Sequence, residues 1–252
     1  MSKQIQKIVL YNNKLPKNMR VEKKTFKCIC LSINTKGEWM KNVLKYAKEI
    51  EGKLNAGTAN DSEKKRDKKT LKNDNNSGLI AEYACYEFLK AYIGKEAILK
   101  PSNISSKNQI DIELFGGKKT IEVRSSCIRN GIDFAVFGKD PKDKHHTQYF
   151  DVIGPYHNNY KPSEVLKDYY MRAIYHCEID KFDDLLKNER LNLYLTGGAT
   201  KEMLEDDALY EVKHLKPKDG EVDIESDYRV IPLSKSLEID EFINIIRQNI
   251  ER

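Results

Sequence analysis

One tryptophan, five histidines, seven prolines and five cysteines are spread over 252 residues, and each scarcity narrows what the chain can be. Cys28, Cys30, Cys85, Cys127 and Cys177 are odd in number and contain no Cys-x-x-Cys pair. That excludes a closed disulfide framework and a zinc ribbon and leaves buried free thiols as the expectation. No apolar run approaches the roughly 18 residues of a membrane span, and no signal-peptide pattern is present, so a cytoplasmic protein is expected. The motifs Gly-x-Ser-x-Gly, Walker A, Gly-x-Gly-x-x-Gly after a strand and His-Glu-x-x-His are all missing, which removes the serine-hydrolase, nucleotide-cradle and zincin readings. His145-His146 has no further metal-ligand spacing around it, so zinc is discounted there. The net charge is only +5, too small to indicate nucleic-acid binding by itself. Where the positive residues cluster matters more than their total.

What the chain does have is a composition, 39% hydrophobic and 33% charged, that allows one large domain or a core domain with an appendage. Its most informative passage runs from Asn108 to Ser125, where Gly116-Gly117 separates two stretches that alternate apolar and polar residues. Such a pattern predicts a β-hairpin with the two glycines as its loop. Phe115 then pairs with Lys118, Asp111 stands opposite Glu122, and Gln109 faces Arg124. With a period of two, Gln109, Asp111, Glu113, Thr120, Glu122 and Arg124 share one side, while Ile110, Ile112, Leu114, Ile121 and Val123 share the other. Directly opposed side chains have Cβ atoms roughly 4.5–5.5 Å apart, so the facing carboxylates repel unless a cation sits between them. The bland alternative is an exposed polar face of a half-buried sheet.

Upstream, Ser77 to Ile93 reads as a helix capped by Ser77, with Leu79, Glu82, Tyr86, Leu89 and Ile93 on one stripe. Glu82 therefore falls among apolar residues, where a carboxylate needs a donor, a cation or a metal. Asp111, ten intervening residues and Glu122-Val-Arg124 resemble the bipartite signature of the PD-(D/E)xK nuclease superfamily, which includes many restriction endonucleases. The preceding Gly78-x-x-Ala-Glu82 on a helix is similar to that family too. Two departures stand out: Arg124 occupies the place of the usual lysine, and no proline precedes Asp111. The resemblance covers about Ser77 to Cys127. It implies a Mg²⁺ site, with Mn²⁺ as substitute, built from Asp111, Glu122, the main-chain carbonyl near Val123, and Glu82, with Arg124 orienting the scissile phosphate.

Elsewhere, Lys7 to Leu10 and Phe26 to Ile33 are expected strands, and Lys36 to Gly52 an amphipathic helix with Trp39, Val43, Leu44, Tyr46, Ala47 and Ile50 on its apolar face. Leu54 to Asn76, with the run Glu63 to Lys69, reads as a charged linker, either a solvated segment or a phosphate contact. Asp133 to Phe137 is an expected strand. A basic loop from Gly138 to Thr147 follows, whose Lys139, Lys142, Lys144, His145 and His146 can donate to DNA phosphates or base acceptors, or form an ordinary surface loop. Tyr149 to Ile153 is expected to return to the sheet. The tyrosines between Tyr149 and Tyr175 are read as packing residues before base-stacking ones. Tyr169 to Tyr175 is a strand or buried helix and Leu191 to Leu195 a strand. Thr196 to Thr200 is expected as a turn with Thr200 capping a short helix, and a last helix covers Glu238 to Gln248.

The expected fold is α/β (α+β), a central mixed β-sheet flanked by helices with a restriction-endonuclease-like core. Residues 1–76 form an N-terminal region with its linker and 77–252 the catalytic core. The resemblance implies a Mg²⁺-dependent deoxyribonuclease acting on double-stranded DNA, of the type II restriction class. For such an enzyme a cognate DNA methyltransferase is an expected partner, and a homodimer is one open assembly. The alternatives are a catalytically degenerate DNA-binding or defence-complex subunit, or a repair or structure-selective nuclease.

Overall fold

The computed structural model describes residues 1–11, 23–51, 68–94, 110–127, 151–157, 166–175, 177, 179–214 and 227–249. The expected strand 133–137, the basic loop with Lys139, Lys142, Lys144, His145 and His146, and Gln109 all lie outside these residues.

The chain folds as mixed α/β around a six-stranded sheet. Its strands are β1 (Ser2–Tyr11), β2 (Lys23–Asn34), β3 (Ile112–Leu114), β4 (Lys119–Ser126), β6 (Tyr169–Tyr175) and β7 (Arg190–Thr200), in the order β1-β2-β7-β6-β4-β3. Only the β4–β6 neighbours run parallel; the other pairs are antiparallel. A second, three-stranded sheet has the order β5 (Asp151–Tyr156), β9 (Asp227–Pro232), β8 (Glu211–His214). The helices are α1 (Glu38–Glu51), α2 (Lys68–Ile93), α3 (Phe182–Lys187), α4 (Lys201–Glu205) and α5 (Ile239–Gln248). No helix among the described residues is long and apolar enough to cross a membrane.

Alternation along the strands builds a core on each side of the large sheet. On β6, Tyr169, Met171, Ala173 and Tyr175 join the main core with α1, α2 and α5, whereas Tyr170 packs with Val152 and Ile231 of the small sheet. Ile174 joins Phe26, Cys28, Cys30 and Tyr194 in a third cluster. Every residue of β6 is buried, which settles the choice between strand and helix in favour of a strand covered on both faces.

Several expectations change. The polar stretch assigned to a linker is helical from Lys68, so α2 begins nine residues before Ser77, and a boundary after residue 76 falls inside it. Tertiary partners explain this: Asn75 donates to the carbonyl of Ala47 on α1 at 3.2 Å, and the Tyr175 hydroxyl donates to the carbonyl of Ser77 at 2.8 Å. Asn73, Asn76 and Ser77 are buried, so these polar residues are interior packing. Ser77 is no cap; its hydroxyl donates back to the carbonyl of Asp74 within the helix.

Thr196 to Thr200 is strand, with a bulge where Arg172 and Ala173 of β6 face Gly197 and Leu195. Gly197 has φ +95, and a Cβ on Gly198 would lie 2.2 Å from the Tyr170 carbonyl oxygen. The two glycines let the chain at Leu237 close onto β7 by paired main-chain bonds to Gly198. The capping role of Thr200 stands: its hydroxyl accepts from the N–H of Met203. The last helix starts one residue later than expected, behind a capping box formed by Glu238 and Glu241.

Candidate active site

The hairpin between β3 and β4 has the register read from the sequence: Ile112 pairs with Ile121, Glu113 with Thr120 and Leu114 with Lys119. One step outward in that register, Asp111 stands opposite Glu122. The loop differs. It spans Phe115 to Lys118, because Phe115 joins Gly116 and Gly117 at positive φ and Gly117 donates to the Leu114 carbonyl. Four residues replace the expected two without shifting the ladder.

Asp111 is 7% exposed, and its Oδ2 accepts a 2.7 Å bond from the Val123 N–H. A side-chain oxygen thus satisfies a β4 donor just beyond the end of β3 and fixes one lobe of the carboxylate. Glu122 and Arg124, two apart on the same side of β4, form an ion pair with Arg124 Nη2 2.9 Å from Glu122 Oε1, both partly shielded from solvent. Beneath them Arg172 on β6 is fully buried and opposite Arg124 in the parallel ladder. Its Nη1 donates to the Arg124 carbonyl at 2.9 Å and to the Ser126 hydroxyl at 2.8 Å.

Helix α2 brings in Glu82. It packs against β4 through buried Leu79, Ile80, Ala81, Ala84, Cys85, Tyr86, Phe88 and Leu89, an apolar surface wider than the stripe read from the sequence. Glu82 is half-buried at the edge of that surface. Burial, and then the charge of Glu122, push its carboxyl up to about 7. Asp111 is raised well above the ordinary carboxylate range by burial and by Glu82 and Glu122, against the opposing pull of the Val123 N–H and Arg124. Tyr46 of α1 and Tyr83 of α2, ring centroids 5.9 Å apart, stand beside Glu82; burial and the Glu82 charge raise both phenols.

Asp111, Glu122, Glu82 and Arg124 are therefore electrostatic neighbours, and Val123 lies between Glu122 and Arg124 with its N–H bonded to Asp111. Among the described residues no three His, Cys, Asp or Glu side chains are already gathered as a ligand cluster. The donor set is all oxygen, three carboxyl groups beside one guanidinium, which is the chemistry a hard divalent cation takes. Arg172 went unread as a site residue. Its signal was a single charge at the centre of the apolar run Tyr-Tyr-Met-Arg-Ala-Ile-Tyr, a pattern that demands partners once both faces are buried.

The chain is similar to the uncharacterized protein MJECS01 of Methanocaldococcus jannaschii, 28% identical over 209 residues that cover 69% of this chain and 70% of that protein. No protein-family model matches the chain, and no solved structure matches it.

Proposed function

We propose that this protein is a divalent-metal-dependent nuclease with a PD-(D/E)xK, restriction-endonuclease-like core that hydrolyses phosphodiester bonds of double-stranded DNA, most specifically as a type II restriction endonuclease. The observation that carries the reading is the convergence of Asp111, Glu122 and Glu82 from three separate elements, where the Glu122 charge disfavours ionisation of Glu82 and the charges of Glu82 and Glu122 disfavour that of Asp111. Such repulsion is costly in a merely structural cluster and useful in a cation site.

Asp111, Glu122 and Glu82, with the Val123 carbonyl, would hold Mg²⁺ or Mn²⁺. When bound, the ion acidifies water and stabilises charge on the phosphoryl oxygens. The Val123 N–H orients Asp111, and Arg172 anchors the main chain of Arg124 so that its guanidinium stays beside the acids. Arg124 is a donor fork for a phosphate oxygen, and it remains protonated, so it accepts no proton from water. Lys139, Lys142, Lys144, His145 and His146 remain the proposed contacts to DNA. A cognate methyltransferase and a homodimer belong to the same reading.

The test is incubation of unmethylated plasmid and phage DNA with the protein in Mg²⁺, in Mn²⁺ and in EDTA. Discrete fragments dependent on the ion are expected, lost in Asp111→Ala and Glu122→Ala and reduced in Glu82→Ala, with unchanged circular dichroism. Full cleavage by Glu122→Ala rejects the site.

A second reading, a nuclease fold that binds DNA without cutting it, draws on the Arg124–Glu122 ion pair, which already sets a cation on one acid. Under it the natural protein retains DNA but never cleaves, while Arg124→Lys gains cleavage. Cleavage by the natural protein rejects this second reading.

A further inference from the structure

We propose that Cys127 and Cys177 are a redox-sensitive pair that closes to a disulfide on reaction with a low-molecular-weight disulfide, stapling the end of β4 to the chain beyond β6. The inference is independent of the nuclease reading. The sulfurs are 3.8 Å apart, within hydrogen-bonding distance of each other. This approach follows from the one parallel pair in the sheet: Ser126 stands opposite Ile174, so both chains leave the sheet in the same direction and side by side. Closing the bond requires the sulfurs to approach to about 2.0 Å. The remaining cysteines are placed differently. Cys28 and Cys30 sit two apart on one strand at the opposite face, and Cys85 lies inside α2.

The pair is asymmetric in the way thiol exchange needs. Cys127 is 2% exposed, whereas Cys177 is half-buried and open to a small oxidant. Hydrogen bonding to Cys177, together with burial, holds the Cys127 thiol far toward its protonated form, so Cys177 is the first nucleophile. Its thiolate attacks the small disulfide, forming a mixed disulfide and releasing one small thiol. Cys127 then gives up its proton and attacks the Cys177 sulfur, releasing the second. The protein loses two hydrogens, and the oxidant is reduced to two thiols.

The staple encloses a loop of about 50 residues, long enough for a large loss of unfolded-state freedom. It also lies three residues beyond Arg124, just past the end of the strand that carries Glu122. Oxidation should therefore restrain β4 at the end that Arg172 already clips through Arg124 and Ser126.

The test uses the full chain, folded, with oxidised glutathione, followed by intact mass and non-reducing peptide mapping. Expected are a mass loss of two hydrogens, a mapped Cys127–Cys177 peptide reversed by dithiothreitol, and a Tm higher by several degrees than that of the reduced protein. Cys127→Ser should instead stop at glutathione carried on Cys177. Five free thiols after treatment, a bridge between other cysteines, or glutathione persisting on Cys177 of the natural protein would each overturn the proposal.

Discussion

A carboxyl group whose protonated form is favoured by the fold makes stability depend on pH with a definite sign. Glu82 titrates near 7 when folded and Asp111 is raised as well, both above their unfolded values. Their contribution is fully present below the unfolded carboxylate range and is lost as pH rises through the folded values. In EDTA the protein should therefore melt at a lower temperature at pH 8 than at pH 5.5. Glu82→Gln should flatten that slope and raise the Tm at pH 8 by a few degrees; a slope unchanged in the variant would show that Glu82 does not carry it. At this scale the acids were legible because hairpin register is arithmetic: a turn signal and a period of two place Asp111 opposite Glu122 whether the loop has two residues or four. The bond from the Val123 N–H to Asp111 and the clasp by Arg172 were not legible. The first depends on main-chain pairing stopping at Ile112, a boundary that alternation does not mark, and the second on β6 lying alongside β4, which nothing local to residues 109–126 names.

Among the elements, β7 is the most constrained, since Gly198 touches both the next strand and α5. A methyl group there would meet the Tyr170 carbonyl oxygen at 2.2 Å and the Phe242 ring at 2.7 Å. Gly198→Ala should cost on the order of 3 kcal/mol or more, since main-chain oxygen cannot rotate away. Gly116→Ala, in open space but with φ +68, should cost only about 1 kcal/mol. Urea unfolding of the two variants checks the contrast, and equal losses would refute the close approach. Helices α1 and α5 could be read from periodicity because each carries its own apolar pattern, whereas β6, buried on both faces, read equally as strand or buried helix. The first turns of α2 could not be read this way. Asn73 and Asn75 read as linker, and Ser77 as a cap, until α1 and Tyr175 supply their surroundings, and Gly197-Gly198 reads as a turn until Leu237 is seen to need the space.

For the whole molecule, the N-terminal region is part of the central sheet: β2 bonds along β7 from Ile29–Leu195 to Asn34–Arg190. Removing residues 1–76 would strip Ile29, Leu31, Ile33, Met40, Val43 and Ala47 from the main core. At roughly 1.5–3 kcal/mol for each large side chain, the loss rivals the whole stability of a domain. A fragment 77–252 should show no cooperative thermal transition; a sharp melt with native circular dichroism would restore the division after residue 76. The mixed α/β class was readable from the succession of elements, but the strand order was not, because pairing between β2 and β7 leaves no mark in either strand. That pairing has a consequence in time. A ribosome finishes β2 long before it makes β7, and at about 5–20 residues per second the interval is on the order of 10–30 s. Throughout it the margin of β2 that β7 will occupy is bare, an edge open to mispairing until the middle of the sheet is synthesised.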